Sequence, residues 1–286
     1  APIYLAPAMN QQMWFADATQ ANLKILEQRK IQFLGPAQGE QACGDVGPGR
    51  MLEPQEIADL LAQQPLEKVL AGKRITITAG PTREEIDPVR YLSNHSSGKM
   101  GYALAIAAQE LGASVTLISG PVNLLPPPNI QTISVSSAQQ MHDAVMKTTH
   151  NCDIFIGCAA VADYRIQHKT HQKIKKSEGE LTLTFIKNPD IISDVANLAI
   201  APFTLGFAAE TQNLREYAIG KLQRKKLNMI AANDVSDNTI GFNSEQNAFT
   251  VFWPKGEKKL DVADKQLLAR QLMDLVTQRY IEDSND

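Results

Sequence analysis

The sequence predicts an α/β fold with a doubly wound, mainly parallel sheet, and two observations lead to this prediction. From residue 72 onward, apolar segments suited to strands alternate with segments of helical periodicity. The first of these strands, at 75–78, is rich in β-branched residues and stops abruptly at Ala79-Gly80-Pro81. Such alternation is typical of a parallel sheet covered on both faces, whose ligands lie beyond the carboxyl ends of its strands.

The predicted elements follow one another along this part of the chain. We expect strands at 75–78, 114–119, 153–157, 181–186, 204–207 and 228–231. Helices are expected at 100–111, 138–148, 189–199, 213–226 and 264–281. A long loop joins the first strand to the first helix. Segments 248–253 and 258–262 flank a turn and are predicted to form a hairpin.

The residues before the sheet are predicted to form a separate domain, with domains at 1–66 and 67–286. The smaller one is expected to contain a strand at 3–6, a helix at 17–27, a short strand at 31–34, a Gly-rich loop at 39–51 and a helix at 54–61. The strand at 3–6 has no obvious partner, and a lone strand cannot satisfy its backbone groups. We therefore expect that the natural chain continues upstream and that this sequence is a truncated product.

Composition excludes several classes of protein. With 28 basic and 31 acidic residues, the chain has a formal net charge of −3, so nothing in its overall charge argues for nucleic acid or an anionic membrane as a partner. No apolar run reaches the roughly 18 residues of a membrane span, and no signal peptide is recognisable. Cys43, Cys152 and Cys158 show no metal-binding spacing, which favours a reducing, cytoplasmic location.

The loop after the first strand contains residues that suit an anion site. Ser96, Ser97 and Gly98 precede Lys99 and the start of the predicted helix. Backbone N–H groups at a helix start carry partial positive charge, and small residues in front of them let an anion approach. The alternative is that Ser and Asn side chains of this loop only cap the helix.

Small and polar residues also follow the third predicted strand. Ala159 and Ala160 would let a planar base lie against the backbone, and Asp163 would hold a metal ion or a polar ligand group. Alternatively, the alanines only pack closely and Asp163 is a turn residue. Lys173-Ile174-Lys175-Lys176 then suits either a clamp on a polyphosphate or a solvated face.

Two later segments extend this pattern. Asn188-Pro189-Asp190-Ile191-Ile192 opens a helix, and an Asn cap followed by Pro would explain it without a ligand. Phe207 and Glu210 lie at the end of the fifth strand, and Lys221 and Lys225 share one face of the next helix. Taken together, these groups could hold a nucleoside triphosphate beside a small anionic substrate.

Other nucleotide-binding classes fit less well. The first strand is not followed by Gly-x-Gly-x-x-Gly, as a dinucleotide-dependent oxidoreductase would require, and Gly-x-x-x-x-Gly-Lys-Ser/Thr does not occur. A non-catalytic nucleotide-binding domain with a regulatory or assembly role remains an alternative. A bound nucleotide that is never cleaved would favour that alternative.

These motifs resemble the bacterial bifunctional coenzyme A biosynthesis family, which joins phosphopantothenoylcysteine decarboxylase to phosphopantothenate–cysteine ligase. The segments AGPTREEIDPVRYLSNHSSGKMG, GCAAVADYR, KIKK, KNPDII, GFAAET and AANDVS follow the order of the ligase half. APAMNQQMW and GEQACGDVGPGRM resemble the end of the decarboxylase half. The resemblance implies a complete, Rossmann-like ligase domain preceded by the C-terminal remnant of a flavodoxin-like flavoprotein domain, without its FMN-binding portion.

The resemblance implies amide formation in two steps. The carboxylate of 4′-phosphopantothenate attacks the α-phosphate of CTP to give an acyl-cytidylate, and cysteine then displaces CMP, with Mg²⁺ bound to the phosphates. The preference for CTP over ATP rests on the resemblance alone. The family also decarboxylates the product with FMN, and it implies a homo-oligomer with a ligase dimer and a decarboxylase trimer.

The resemblance also assigns residues to roles. Asn94 handles the acyl-cytidylate, Lys173 is the catalytic lysine of the clamp, and Asp163 lies beside the nucleotide as a possible Mg²⁺ ligand. Further nucleotide contacts are Ala159, Ala160, Pro189, Asp190, Ile191, Ile192, Phe207, Lys221 and Lys225. In the decarboxylase half, Asn10 contacts the substrate carboxylate and Cys43 protonates the enethiolate.

Overall fold

The chain divides into two compact units, Ala1–Leu66 and Glu67–Asp286. The computed structural model describes residues 3–40, 44–62, 68–175, 180–210, 212–234 and 244–284. None of the helices in these ranges has the length and apolarity that a membrane span requires.

The smaller unit contains short strands and three helices within its described residues. These elements are β1 (Tyr4–Leu5), α1 (Gln11–Phe15), α2 (Asp17–Gln28), β2 (Gln32–Phe33), β3 (Ala37–Glu40), β4 (Val46–Arg50) and α3 (Pro54–Ala62). β1 pairs with β2 in parallel, so the expectation of a lone first strand is wrong. Its partner β2 lies within the short strand predicted at 31–34, but the pairing was not predicted because two helices separate the two strands. β3 and β4 pair antiparallel within the segment predicted as a Gly-rich loop.

The larger unit is organised around an eight-stranded sheet in the order β16-β15-β14-β13-β10-β5-β8-β9. Its strands are β5 (Arg74–Ala79), β8 (Ser114–Ser119), β9 (Gln131–Ser134), β10 (Ile154–Gly157), β13 (Phe203–Glu210), β14 (Met229–Asp234), β15 (Gln246–Trp253) and β16 (Gly256–Asp264). The six strands from β14 to β9 are parallel, and β15 and β16 are added antiparallel at one edge. The predicted mainly parallel sheet is therefore confirmed.

Helices cover both faces of this sheet. They are α4 (Lys99–Glu110), α5 (Ala138–Thr149), α6 (Ile191–Ala196), α7 (Leu214–Arg224) and α8 (Lys265–Asp283). On one face, α4 and α8 pack over Ile77, Ile156 and Leu205, which are fully buried. On the other, α5 and α6 pack around Phe155, and α7 packs against β14. Burial on both faces explains the almost continuous apolar sequence of the central strands.

In the larger unit, two short pairs of antiparallel strands lie outside the main sheet, and both differ from the prediction. β6 (Arg83–Asp87) and β7 (Arg90–Ser93) form a hairpin within the segment expected to be a long loop. The strand predicted at 181–186 is observed as β12 (Phe185–Lys187), which pairs with β11 (Tyr164–Ile166) and not with the main sheet. Charged residues interrupt these strands, so they lack the apolar alternation by which strands are recognised. The edge strand β9 was also not predicted.

Candidate functional site

The carboxyl ends of the central parallel strands carry the loops that form the site. The loop after β5 is joined to the loop after β10 by backbone hydrogen bonds: Ala160 N–H donates to Gly80 O at 2.9 Å, and Thr82 N–H donates to Ala160 O at 3.3 Å. Because these strands are neighbours in the sheet, two segments that are far apart in sequence form one surface. Two adjoining cavities lie along this surface.

The first cavity has a volume of about 510 Å³ and collects most of the residues predicted to contact a nucleotide. Those that line it are Ala159, Asp163, Pro189, Asp190, Ile191, Ile192, Phe207, Lys221 and Lys225. Ala160 lines the second cavity instead. The base of the first cavity is formed by Gly157 and Gly206 on neighbouring strands, where an added Cβ would meet Ile192 Cδ1 at 3.0 and 2.9 Å.

Acidic side chains hold Lys221 and Lys225, two of the three lysines that line the first cavity, in place. Lys221 Nζ lies 2.7 Å from Glu210 Oε1, and Lys225 Nζ lies 2.8 Å from Asp190 Oδ2. Lys221 stands in the last turn of α7 and Lys225 ends that helix, so both ammonium groups border the same side of the cavity. An ammonium group has three N–H donors, so each lysine retains donors for a phosphate.

The start of α6 differs from the prediction. The N-cap is Asp190, whose carboxylate accepts a hydrogen bond from Ser193 N–H at 3.3 Å. Asn188 is not the cap: its Nδ2 donates to Ala162 O at 2.8 Å, and its Oδ1 accepts from Arg165 at 3.0 Å. Asn188 therefore fixes the loop that carries Asp163, and the predicted Asn cap is wrong.

The second cavity, of about 400 Å³, is formed around the loop before α4. Asn94, Ser96, Ser97 and Gly98 all line it. The N-cap of α4 is Gly98, with φ 77° and no side-chain capping hydrogen bond, so the alternative of a Ser or Asn cap is wrong. A glycine is needed here because φ is positive and because a Cβ would meet Val122 Cγ1 at 2.7 Å.

A shared wall separates the two cavities. Ala159, Val161 and Phe207 line both of them. The side-chain amide of Asn94 donates to Val161 O at 3.1 Å, so Asn94 is attached to this wall. Asp163, two residues after Val161, faces the first cavity. The arrangement can hold two ligands side by side, with their reacting groups meeting at the shared wall.

Lys173 is the predicted site residue that the structure does not bring to the others. It is exposed and, among the described residues, contributes to the lining of neither cavity. Its neighbour Ile174 is anchored, since Ile174 N–H donates to Asp87 Oδ2 at 3.1 Å. Asp87 is buried and lies 2.8 Å from the Arg90 guanidinium. The role of Lys173 therefore stays a prediction.

Asp87, which accepts from Ile174 N–H and pairs with Arg90, is held in its charged carboxylate form. Burial alone would raise the pKa of Asp87, but hydrogen bonds from Val89 N–H and Ile174 N–H, together with the charge of Arg90, lower that pKa below its ordinary value. The buried carboxylate thus links the β6–β7 hairpin to the segment that carries Lys173.

Lys265, which also borders the second cavity, was missed as a site residue. This first residue of α8 is only 6% exposed. Burial and the nearby charge of Lys99 lower the pKa of Lys265. Burial raises the pKa of Cys158, another lining residue, to about 12. The sequence shows only a lysine at a predicted helix start, which does not reveal burial.

In the smaller unit, Asn10 caps α1. Its Oδ1 accepts from Gln12 N–H at 2.8 Å, and its Nδ2 donates to Asp45 Oδ2 at 3.2 Å. Cys43, the predicted proton donor, lies outside the described residues. The role of Asn10 toward a substrate carboxylate stays a prediction.

A metal ion at this site would take most of its coordinating atoms from a bound nucleotide and few from the protein. In the described ranges, no group of three or more His, Cys, Asp and Glu side chains is placed to hold a metal. Asp163 offers one exposed carboxylate in the first cavity. Mg²⁺ commonly binds through one or two carboxylates plus substrate phosphates, so these residues fit a cation that arrives with a nucleotide.

Comparisons with known proteins place the chain in a family. Residues 70–280 match the family model described as DNA/pantothenate metabolism flavoprotein C-terminal domain, and residues 1–65 match the model described as flavoprotein. The coenzyme A biosynthesis bifunctional protein CoaBC of Vibrio cholerae is 57% identical, over 96% of this chain and 70% of that protein. Its counterpart in Escherichia coli is 52% identical, over 99% of this chain and 71% of that protein.

A solved structure agrees with these relatives. The crystal structure of the C-terminal domain of a coenzyme A biosynthesis bifunctional protein CoaBC is 41% identical, with a TM-score of 0.65 over 76% of this chain and 100% of that one. The family model matches most of the chain, at 70–280, and the relatives are more than half identical to it over nearly its whole length. The chain therefore belongs to the family of coenzyme A biosynthesis bifunctional proteins.

Proposed function

We propose that this chain ligates 4′-phosphopantothenate to cysteine at the expense of CTP, as a phosphopantothenate–cysteine ligase of coenzyme A biosynthesis. The observation that carries the proposal is the pair of adjoining cavities with Asn94 at their shared wall. One cavity presents paired cations suited to phosphates, and the other presents the start of a helix suited to an anionic acid.

The nucleotide occupies the first cavity in this proposal. Lys221 and Lys225 contact its phosphates, and the small side chain of Ala159 leaves room for a planar group against the wall. The segment Pro189 to Ile192 also lines this cavity, and Asp190 keeps Lys225 in position. Lys173 would approach the phosphates from outside the cavity when a nucleotide is bound.

The acid occupies the second cavity, with its carboxylate at the shared wall. In the first step, a carboxylate oxygen attacks the α-phosphorus of CTP, the bond to the bridging oxygen breaks, and pyrophosphate leaves. In the second, the neutral amine of cysteine attacks the acyl carbon, CMP leaves with the bonding electrons, and the amine loses a proton to solvent. Asn94 would orient the acyl-cytidylate between these steps, because its amide lies at the wall where the two ligands meet.

Residues of this chain bind and orient the reactants, and positioning with charge stabilisation supplies most of the catalysis. Mg²⁺, when bound to the triphosphate, would neutralise phosphate charge, with Asp163 as its protein ligand. The ordered contacts of Asn188 that fix the Asp163 loop support this assignment.

We assign residues 1–66 to the decarboxylase domain and residues 67–286 to the ligase domain. FMN would supply redox chemistry for decarboxylation. Asn10 and Cys43 would act on the substrate. The free thiols of Cys152 and Cys158 support a cytoplasmic location.

A homo-oligomer, with a ligase dimer and a decarboxylase trimer, belongs to the same proposal. Val89, Tyr91 and Tyr164, which are 58%, 50% and 46% exposed, are large apolar side chains on the two small strand pairs of the larger unit. We interpret these exposed side chains as part of a surface that binds a second copy of the chain. Sedimentation of the purified protein measures the oligomeric state.

A nucleotide screen tests the proposed reaction. The protein is incubated with 4′-phosphopantothenate, cysteine, Mg²⁺ and one nucleoside triphosphate at a time, and pyrophosphate and the cysteine amide are measured. We expect both products with CTP, and neither when the acid is left out. Nucleotide binding without pyrophosphate release from any triphosphate would contradict a ligase and indicate a non-catalytic nucleotide-binding domain.

A further inference from the structure

A third cavity adjoins the second and offers room for another reactant. It has a volume of about 620 Å³. The residues that line both the second and the third cavity are Asn94, His95, Ser96, Ser97 and Lys99. In the proposed reaction the nucleotide and the acid occupy the first two cavities, so the amino acid that attacks the acyl group needs space of its own beside Asn94. The third cavity provides that space.

The lining of the third cavity suits an amino acid. Arg83 and Tyr91 both line it, and the guanidinium carbon of Arg83 lies 4.7 Å from the centroid of the Tyr91 ring. A guanidinium that stacks on an aromatic ring is held in place and is a good partner for a carboxylate. An amino acid whose carboxylate binds Arg83 could therefore direct its amine toward the residues that the two cavities share.

Amide formation requires a group that accepts a proton. The amine of cysteine attacks the acyl carbon with its lone pair, and its nitrogen must lose a proton before the amide is complete. A side chain that is positioned to take such a proton typically accelerates a reaction by about 100- to 10,000-fold. In the proposed reaction, no residue of the chain yet has this task.

Most titratable side chains around these two cavities are unsuited to the task. At neutral pH, guanidinium, ammonium and phenol groups are ordinarily proton donors rather than acceptors. Burial raises the pKa of Cys158 to about 12, so this side chain stays a thiol. Burial and the charge of Lys99 lower the pKa of Lys265, but Lys265 is only 6% exposed and cannot pass a proton directly to solvent.

His95 has the properties that these side chains lack. It is exposed and, among the described residues, it is the one histidine that lines the second or the third cavity. Imidazole ordinarily gains and loses a proton near neutral pH, and one nitrogen of the neutral ring is an acceptor. Within the described ranges, no hydrogen bond or ion pair occupies the ring of His95, so a substrate can reach it.

We propose that His95 is the general base of the amide-forming step and accepts the proton of the cysteine amine. This inference rests on the proposed ligase function. The lone pair of the neutral amine forms the bond to the acyl carbon, and the nitrogen gives its proton to the imidazole. The bond from the acyl carbon to the cytidylate oxygen breaks, and CMP leaves with the bonding electrons. His95 then releases the proton to solvent, which its exposed ring contacts.

The test separates the two steps in the His95→Gln variant. The protein is first incubated with 4′-phosphopantothenate, CTP and Mg²⁺, and cysteine is then added. We expect pyrophosphate release in the first stage to change less than about threefold, because His95 does not line the first cavity. Amide formation after the addition of cysteine should fall about 100- to 10,000-fold, because the proton acceptor is lost.

A second nucleophile distinguishes proton transfer from positioning. Hydroxylamine is a much weaker base than the amine of cysteine, so its adduct loses a proton to water without a catalytic base. We therefore expect the wild type and His95→Gln to form the hydroxamate at rates within about threefold of each other. Equal losses with both nucleophiles would show a defect in positioning and would overturn the inference. Wild-type amide formation from cysteine would overturn it as well.

Two further variants complete the comparison. His95→Ala leaves space at the site, and added imidazole should restore part of its amide formation from cysteine. A failure of imidazole to do so at any concentration would count against the assignment. His150→Gln makes the same change as His95→Gln at the exposed C-cap of α5, and this variant should behave as the wild type.

The wild type separates this inference from the proposed reaction. If the wild type releases no pyrophosphate from any triphosphate, the ligase proposal is contradicted and the inference with it. If the wild type makes the amide and His95→Gln makes it equally fast, only the inference is overturned and the ligase proposal stands.

Discussion

The side-chain amide of Asn94 donates a hydrogen bond to the main-chain carbonyl of Val161 at 3.1 Å. Asn94 belongs to the loop after β7, and Val161 belongs to the loop after β10 and lines both cavities. This hydrogen bond therefore connects the anion-binding loop to the wall at which the nucleotide and the acid would meet.

Asn94→Asp should separate the two steps of the reaction. The aspartate cannot donate to Val161 O and adds a negative charge beside the acyl-cytidylate, so we expect pyrophosphate release to continue while product forms at least about tenfold more slowly. Rapid-quench analysis would detect an accumulated acyl-cytidylate. Asn151→Asp, at an exposed position, provides the control with the same chemical change. Normal product formation by Asn94→Asp would contradict the assigned role.

Lys173→Gln should slow the activation step. If Lys173 reaches the triphosphate when it is bound, loss of its ammonium group removes stabilisation of phosphoryl charge, and pyrophosphate release should fall about 10- to 1000-fold. The binding affinity of 4′-phosphopantothenate should stay unchanged, because Lys173 does not line the second cavity. Lys147→Gln on α5 removes an equally exposed charge elsewhere. Wild-type pyrophosphate release by Lys173→Gln would remove this residue from the site.

Asp87→Asn should lower the melting temperature in a pH-dependent way. Because the pKa of Asp87 in the folded protein lies below its ordinary value of 3.8, its contribution to stability is present above pH 3.8 and is lost as pH falls through the folded pKa. The difference in melting temperature between wild type and variant should be constant from pH 7 to about 5 and shrink below 3.8.

The control for this measurement is Asp261→Asn, at a side chain that is 87% exposed, and its melting temperature should follow that of the wild type. A difference for Asp87→Asn that is independent of pH down to pH 3 would show that its carboxylate is not held in the charged form. Pyrophosphate release should also fall in Asp87→Asn. This substitution removes the carboxylate oxygen that accepts from Ile174 N–H, and that hydrogen bond holds the segment with Lys173 in place.

Gly101→Ala should destabilise the larger unit. An added Cβ would meet Ala79 Cβ at 2.5 Å and would push α4 away from β5, at a cost of about 1–3 kcal/mol in the free energy of unfolding. Gly220→Ala is the matched control in α7, where an added Cβ meets no described atom within 4 Å. That variant should gain about 0.5–1 kcal/mol because alanine is the better helix former. Urea denaturation measures both, and equal stabilities would contradict the close packing at Gly101.

The sequence by itself predicted the regular part of the fold. β8 was predicted with its observed bounds, and α5 to within one residue, because their apolar spacing reflects burial directly. The motif residues at the strand ends were also recognisable, since small, polar and cationic residues stand there against an apolar background. By contrast, the β6–β7 hairpin gave no such signal, because its stability depends on the buried charge of Asp87 and not on apolar alternation.

Only the tertiary structure decided which of these residues meet. It placed Asn94 and Asp163 at adjoining cavities, left Lys173 outside both, and buried Lys265 in the second. It also paired the first strand with β2. The physical reason is that the spacing of apolar residues shows which face of a helix or strand is buried, but not which other element covers that face. Contacts between segments that are far apart in the chain depend on how the strands order themselves in the sheet, and local sequence carries little information about that order.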